Sequence, residues 1–287
     1  MKNILVTGGT GTLGRALIHE LYKKAGNSIT VFSRDENKQR AMAKKYPKVK
    51  YFIGDITNRR DIRDLAEEDI FDHVYHCAAL KHIDICEEFV RKCVDTNYQG
   101  TVNLYDEIGK DCSCFTFFTT DKAVAPINAY GHAKALSEHY LAQYKNTQIF
   151  RWGNIIGSTG SFLPHLVECC IKDERVDITN PIMTRFWIYI EDAVRFVLKH
   201  KAPFRGIMYP DDMKSSTIRV LVEAVELLMG KQIARREVDI RPGERNHEAM
   251  GADYRGVWRW SSENVLTKEE LALHLEPWVK KYLKERK

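Results

Sequence analysis

The sequence predicts an α/β protein: a doubly wound parallel sheet with a smaller C-terminal lobe. Three observations predict it. Short apolar runs alternate with helical patterns through the first half of the chain. A glycine-rich turn joins the first run directly to the first helical pattern. The length of 287 residues suffices for one large domain and a lobe.

The first strand is the apolar run 4–6 of KNILVTGGTGTLGRALIHEL, and an amphipathic helix follows through Leu21. Between them Gly8, Gly11 and Gly14 are spaced Gly-x-x-Gly-x-x-Gly, with Thr10, Thr12 and Leu13 in the same turn. Glycine permits a tight turn, close backbone approach to a pyrophosphate and close helix–strand packing. A helix opening near Gly11 directs its free N–H groups and positive dipole end at the phosphates. This is a variant of the Rossmann dinucleotide fingerprint, so a nicotinamide cofactor is expected here.

The second strand, 29–32, runs into Ser33, Arg34 and Asp35, with Lys38 one helical turn on. An acid at this tip accepts from the ribose hydroxyls of NAD, whereas a nearby arginine suits the 2′-phosphate of NADP. Ser33, Arg34 and Lys38 together predict NADP. The third strand (49–53) ends at Gly54-Asp55-Ile56, where Asp55 and Ile56 are placed for the adenine. The fourth (73–76) ends at Cys77-Ala78-Ala79, where Ala78 and Ala79 leave room for the cofactor. A long helix over 83–109 carries Asn97. The fifth strand (114–118) leads to Thr119 and Thr120, at the carboxyl edge where α/β proteins bind ligands.

Next comes TTDKAVAPINAYGHAK. Tyr130 and Lys134 lie i, i+4 on one helical face. A free phenol titrates near pH 10, and a neighbouring cation lowers that value. A tyrosine so tuned takes a proton from a sugar hydroxyl while hydride leaves the same carbon, and Thr119 or Thr120 can hydrogen-bond the reacting oxygen. Asp121-Lys122, read alone, is a surface ion pair of little energetic weight.

At this stretch the chain resembles the extended short-chain dehydrogenases, and within them the inverting UDP-N-acetylglucosamine 4,6-dehydratases. The resemblance rests on TGGTGTLG, FSRDENK, AALKHIDICEE, TTDKAVAPINAYGHAK, RWGNIIGSTGSFLP, ITNPIMTRFWIYIEDAV and RPGERNHEAM, in order. It implies oxidation at C4 by Tyr130 with Lys134 on the nicotinamide ribose, then loss of water across C5–C6, and hydride return to C6. Lys122, neutral, is implied as the base and Asp121 as the acid. It further implies that Asn97 supports Lys134 through water, and that Lys81, Asn154 and Arg185 contact the substrate. Arg185 would clamp a pyrophosphate through its planar fork. Arg241 and Glu244 look like a second nucleotide-binding loop, and His247 reads as a hydrogen-bonding residue.

The resemblance places the NADP-binding domain in residues 1–155 with parts of 185–210. The sugar-nucleotide lobe is expected in 156–184 and 211–287. Trp258 and Trp260 are expected to pack the lobe. The helical stretches 83–109 and 128–144 correspond to those that pair in dimers of this superfamily, so a homo-oligomer is expected. Two other readings stand beside the dehydratase: a UDP-sugar 4-epimerase or ketoreductase, which would not need Asp121-Lys122, and a non-catalytic NADP-binding module.

Composition narrows the remaining classes. Seven cysteines show no zinc spacing, and their odd number argues against a complete disulfide framework. No metal site is expected. The charge of +5 suits an anionic substrate but is poor evidence for a nucleic-acid partner. No apolar run is long enough to span a bilayer, and the N-terminus enters the first strand at once. A cytoplasmic protein is therefore expected.

Overall fold

The computed structural model describes residues 2–200, 202–252 and 256–286. Six of the seven strands of the large sheet come first: β1 (Lys2–Thr7), β2 (Asn27–Ser33), β3 (Lys50–Ile53), β4 (His73–His76), β5 (Cys114–Thr120) and β6 (Thr147–Trp152). The short strands β7 (Asn154–Ile155), β8 (Val176–Ile178) and β9 (Thr184–Ile188) follow, then β10 (Ile207–Met208), β11 (Lys214–Thr217) and β12 (Arg235–Glu237). The large sheet runs β10-β6-β5-β4-β1-β2-β3 with every neighbouring pair parallel. The chain leaves β1 in one direction to build β2 and β3, then crosses to β4 on the other side. Ligands of such sheets bind where the strand order reverses.

Helices cover both faces. They are α1 (Thr12–Tyr22), α2 (Glu36–Lys45), α3 (Arg59–Glu68), α4 (Ile83–Glu88), α5 (Val90–Val94), α6 (Gly100–Glu107), α7 (Ala129–Leu141), α8 (Phe162–Lys172), α9 (Ile190–Lys199), α10 (Ile218–Met229) and α11 (Lys268–Glu285). Alternate strand residues divide between two cores, as a period of two requires. Ile4, Val6 and Val31 meet Leu17, Ile18 and Leu21 of α1 and Val194 and Val197 of α9. Leu5, Phe115 and Phe117 meet Ile62 and Leu65 of α3, Leu104 of α6 and Leu141 of α7. Each such side chain, fully buried, contributes about 1.5–3 kcal/mol.

The smaller lobe has its own core. Leu163, Leu166 and Val167 of α8 pack with Leu221 and Val225 of α10 and Leu271, Leu275 and Val279 of α11. A capping box between Thr267 and Glu270 starts α11. Strand β9 joins β7 in parallel and β11 antiparallel, while β12 pairs with β8.

The single helix expected over 83–109 is broken. Phe89 (φ −116°, ψ 58°) separates α4 from α5, and Asp95–Gln99 forms a π-helical segment before α6. Such a bulge re-aims side chains and occurs often at functional positions; here it carries Asn97. Among the described residues, no helix is long and apolar enough to cross a membrane.

Candidate active site

Gly8 has φ +62°, a region glycine enters without steric cost, and a Cβ there would come within 2.7 Å of the Ala78 backbone. A Cβ on Gly14 would lie 2.6 Å from the Gly8 carbonyl. Gly11 caps α1 without a side-chain bond, and the first turn holds no acid. Its leading N–H groups are thus free of side-chain caps and repelling carboxylates, the arrangement an anion needs. The turn therefore fits a dinucleotide pyrophosphate. Thr10 is buried, Leu13 packs on the core, and Thr12 faces Thr159 at 3.4 Å between hydroxyls. Lys81 also donates to the Thr159 carbonyl, so the 158–161 loop bridges the glycine turn and the end of β4.

The residues expected to hold a 2′-phosphate are otherwise engaged. The Ser33 hydroxyl accepts from Gln39 Nε2 at 2.9 Å inside the core. Arg34 pairs with Asp55 at 3.4 Å, and Lys38 with Asp35 at 2.9 Å. Asp35 also caps α2. Asp55 Oδ1 accepts from the Thr57 backbone and hydroxyl, and Ile56 is buried in the core. Ala78 lies against the glycine turn, its N–H 3.4 Å from Thr7 Oγ1, and Ala79 follows half-buried.

Strand β5 ends at Thr120, whose side chain caps a 3₁₀ turn over Asp121–Ala123. Asn128 caps α7 through the Gly131 N–H and donates to Gly243 O at 2.8 Å, fastening the 241–245 loop to the start of that helix. These two caps set Tyr130 opposite the Asp121–Lys122 turn. Thr120 Oγ1 donates to Asp121 Oδ1 at 2.8 Å, and Lys122 Nζ donates to the same oxygen at 2.9 Å. Burial pushes the Tyr130 phenol up to about 12, against the pull of the Lys122 cation and a hydrogen bond with Thr120. Burial opposes the charge on Lys122 too, but Asp121 and Glu248 outweigh it and raise its pKa.

One expectation is corrected by this geometry: Lys122, expected as a neutral base, is paired with Asp121 and Glu248, which favour its ammonium form. Lys134 Nζ donates to the Phe118 carbonyl at 2.8 Å and sits 4.4 Å over the Phe117 ring. Burial brings the Lys134 pKa down to about 8. Asn97 clamps Leu80 through both backbone groups (2.7 and 2.9 Å), and its own carbonyl accepts from Ser137 of α7 at 2.9 Å. It thereby ties the loop after β4 to the helix of Tyr130 and Lys134.

Arg185, on β9, is brought to the same cluster. It donates to Thr184 O and Asn246 O, and its Nε lies 3.9 Å from Glu248. Asn154 donates to Phe186 O beside it. Arg241, exposed, and Glu244, half-buried, bond to each other: the Arg241 N–H donates to Glu244 Oε2 and the Glu244 N–H to the Arg241 carbonyl. His247 shares a 2.8 Å hydrogen bond with Thr184. Sequence reasoning missed Glu248 and Arg245, although both lie in RPGERNHEAM; the signal was an acid set directly before the apolar pair Ala249-Met250. Trp258 and Trp260 do not pack the lobe: they stack with ring centroids 6.4 Å apart and are 54 and 44 % exposed. All seven cysteines are free, and no cluster of metal-ligating side chains occurs among the described residues.

Over residues 4–268 the sequence matches the family described as "Polysaccharide biosynthesis protein". The chain belongs to this family. Its fold and glycine turn make this polysaccharide biosynthesis protein an extended short-chain dehydrogenase/reductase. It is 34 % identical over 265 residues to a UDP-glucose 4-epimerase of Rickettsia felis, covering 87 % of this chain and 77 % of the relative. Further Rickettsia proteins of that name are 33–35 % identical. A UDP-N-acetylglucosamine 4,6-dehydratase (inverting) of Campylobacter jejuni is 36 % identical over 268 residues, with the same coverage of each chain.

Among solved structures, Pen from Bacillus thuringiensis superposes with a TM-score of 0.85 at 24 % identity, over 96 % of this chain and 97 % of that one. The Thermus thermophilus UDP-glucose 4-epimerase in complex with NAD gives 0.76 at 21 %, over 85 and 88 %.

These comparisons overturn two expectations. The solved relatives whose bound nicotinamide is named hold NAD, not NADP. Locally, Ser33, Arg34 and Lys38 already have partners in this protein. The dehydratase, hence lyase, reading is likewise corrected, because the similar sequences and structures are predominantly 4-epimerases. Lys122, which that reading required as the base, is paired with Asp121 at 2.9 Å and Glu248 at 3.4 Å.

Proposed function

We propose that this family member is a UDP-sugar 4-epimerase that uses NAD. The observation that carries the reading is Tyr130 with Thr120 beside a turn fitted to a dinucleotide, in a chain whose relatives include many UDP-glucose 4-epimerases. Gly8, Gly11 and Gly14 would hold the pyrophosphate at the start of α1, with Asp35 and Asp55 near the adenosine end. NAD, when bound, supplies a hydride acceptor and donor for the sugar carbon. The protein supplies the proton chemistry.

Tyr130, as phenolate, takes the C4 hydroxyl proton, and Thr120 holds the same oxygen by a hydrogen bond. The Lys122 ammonium favours the phenolate. Once the ketone has turned its other face, Tyr130 returns the proton, and C4 emerges inverted. Arg185 and Asn154, on neighbouring strands, and Lys81, bonded to the 158–161 loop, would bind and orient the sugar nucleotide. Closure of that loop onto Thr12 would keep water from the ketone.

The test is product analysis. UDP-glucose and UDP-N-acetylglucosamine are each incubated with the protein and NAD, then followed by mass spectrometry and anomeric-proton NMR. The expected product has unchanged mass and an inverted C4. A product lighter by one water would overturn the proposal.

A further inference from the structure

Lys122 is the cation that acts on Tyr130, yet nothing in its own turn but Asp121 neutralises it. We propose that Glu248 is a positioning residue: from the far end of the chain it fixes the Lys122 ammonium beside the Tyr130 phenol and ties it to Arg185 and Arg245. The inference rests on the 4-epimerase reading only for its activity assay.

Glu248 is buried, 2 % exposed. Its Oε1 lies 3.4 Å from Lys122 Nζ and 3.9 Å from Arg185 Nε. Its Oε2 lies 3.7 Å from Arg245 Nε and has no hydrogen-bond partner among the described residues. The backbone is locked, because the Glu248 N–H donates to Ser261 Oγ and its carbonyl accepts from the Ser261 N–H, both at 2.8 Å. Ser261 in turn bonds Thr184, next to Arg185. A buried carboxylate costs several kcal/mol unless paired, so a side chain held this firmly with few direct hydrogen bonds is there for its charge.

Glu248 thus faces three cations, Lys122, Arg185 and Arg245, and Asp121 faces the first of them. Both arginines also donate to carbonyls: Arg245 to Val124 and Ala125, Arg185 to Thr184 and Asn246. Among the described residues Lys122 is paired with the two carboxylates, with Arg185 repelling it. Arginine does not release its proton in proteins, whereas a buried lysine does. Removing the Glu248 charge leaves Asp121 as the carboxylate on Lys122, with Arg185 and Arg245 nearby and no longer balanced, and the imbalance is relieved at Lys122. Tyr130 then loses the cation that most favours its phenolate.

The experiment measures Lys122 directly. The full chain is pulsed with acetic anhydride between pH 6 and 11, and acetylation of Lys122 is read by peptide mass spectrometry. In Glu248→Gln the reactivity midpoint of Lys122 is expected to fall by about one pH unit or more, a tenfold change in its proton affinity. Glu248→Asp should restore part of it. With UDP-sugar, kcat of Glu248→Gln should drop about tenfold while KM changes less than about threefold, and its activity should decline at lower pH than wild type. A merely structural role would lower stability and leave the midpoint where it was, and an unmoved midpoint overturns the proposal. If Glu248→Gln does not fold, Arg185→Gln serves instead: it removes the repelling cation and must raise the midpoint, and a fixed value again refutes. Failure of the wild type to turn over any UDP-sugar would sink the epimerase reading alone, since the labelling needs no turnover.

Discussion

Replacing Lys134 by methionine should stabilise the protein at neutral pH and do the opposite at high pH. The Lys134 ammonium is buried, and burial brings its pKa from 10.5 to about 8. That difference, 10.5 minus about 8, is about 2.5 pH units, or roughly 3 kcal/mol at 1.36 kcal/mol per unit. Because the folded value lies below the unfolded one, the folded state binds fewer protons between pH 8 and 10.5. Wild-type stability therefore rises with pH across that window, and below pH 8 the full cost of the buried charge is present. Methionine keeps the stem, removes the charge and loses the bond to the Phe118 carbonyl, worth about 1.5–2 kcal/mol.

Lys134→Met should accordingly be more stable than wild type by about 1–2 kcal/mol at pH 7 and less stable by a similar amount at pH 10.5. The swing of roughly 3 kcal/mol is independent of the hydrogen bond's worth. Urea denaturation of both proteins at the two pH values, without added nucleotide, measures it. A swing below about 1 kcal/mol would refute the claim that Lys134 is held as a depressed, buried ammonium. Activity should be lost at either pH, since the resemblance puts Lys134 on the nicotinamide ribose.

Gly14→Ala places a methyl 2.6 Å from the Gly8 carbonyl and from the Gly9 Cα, so the turn must open; NAD affinity by fluorescence quenching should fall at least about tenfold, or 1.4 kcal/mol. Gly131→Ala drives its methyl into the Lys122 carbonyl, which is backbone and cannot yield cheaply. Thermal denaturation should show a loss of about 1–3 kcal/mol, and kcat should fall because the Asp121–Lys122 turn is displaced. Ile85, Phe89 and Val90 of the α4–α5 corner and Leu136 of α7 are 40–52 % exposed, and their elements pack together. We propose that they meet a second copy of the chain; Phe89→Asp should shift the mass seen by light scattering toward the monomer, and an unchanged mass would refute this.

The sequence by itself determined what is local. The five strand runs, the glycine turn and the i, i+4 placement of Tyr130 and Lys134 follow from patterns a few residues long, and the structure has them. It misjudged what depends on partners distant along the chain. Ser33-Arg34 reads as a phosphate site until the fold sets Gln39 against Ser33 and Asp55 against Arg34. Lys134 reads as a partner of Tyr130 alone, and the fold adds the Phe118 carbonyl of β5. Only the tertiary structure decided that Glu248, far along the chain, faces Lys122 and so favours its ammonium form. The physical reason is common to all three. Helical and strand periodicity are fixed by neighbours along the chain, whereas the charge state of a buried group is fixed by whichever charges the fold brings within about 4 Å of it.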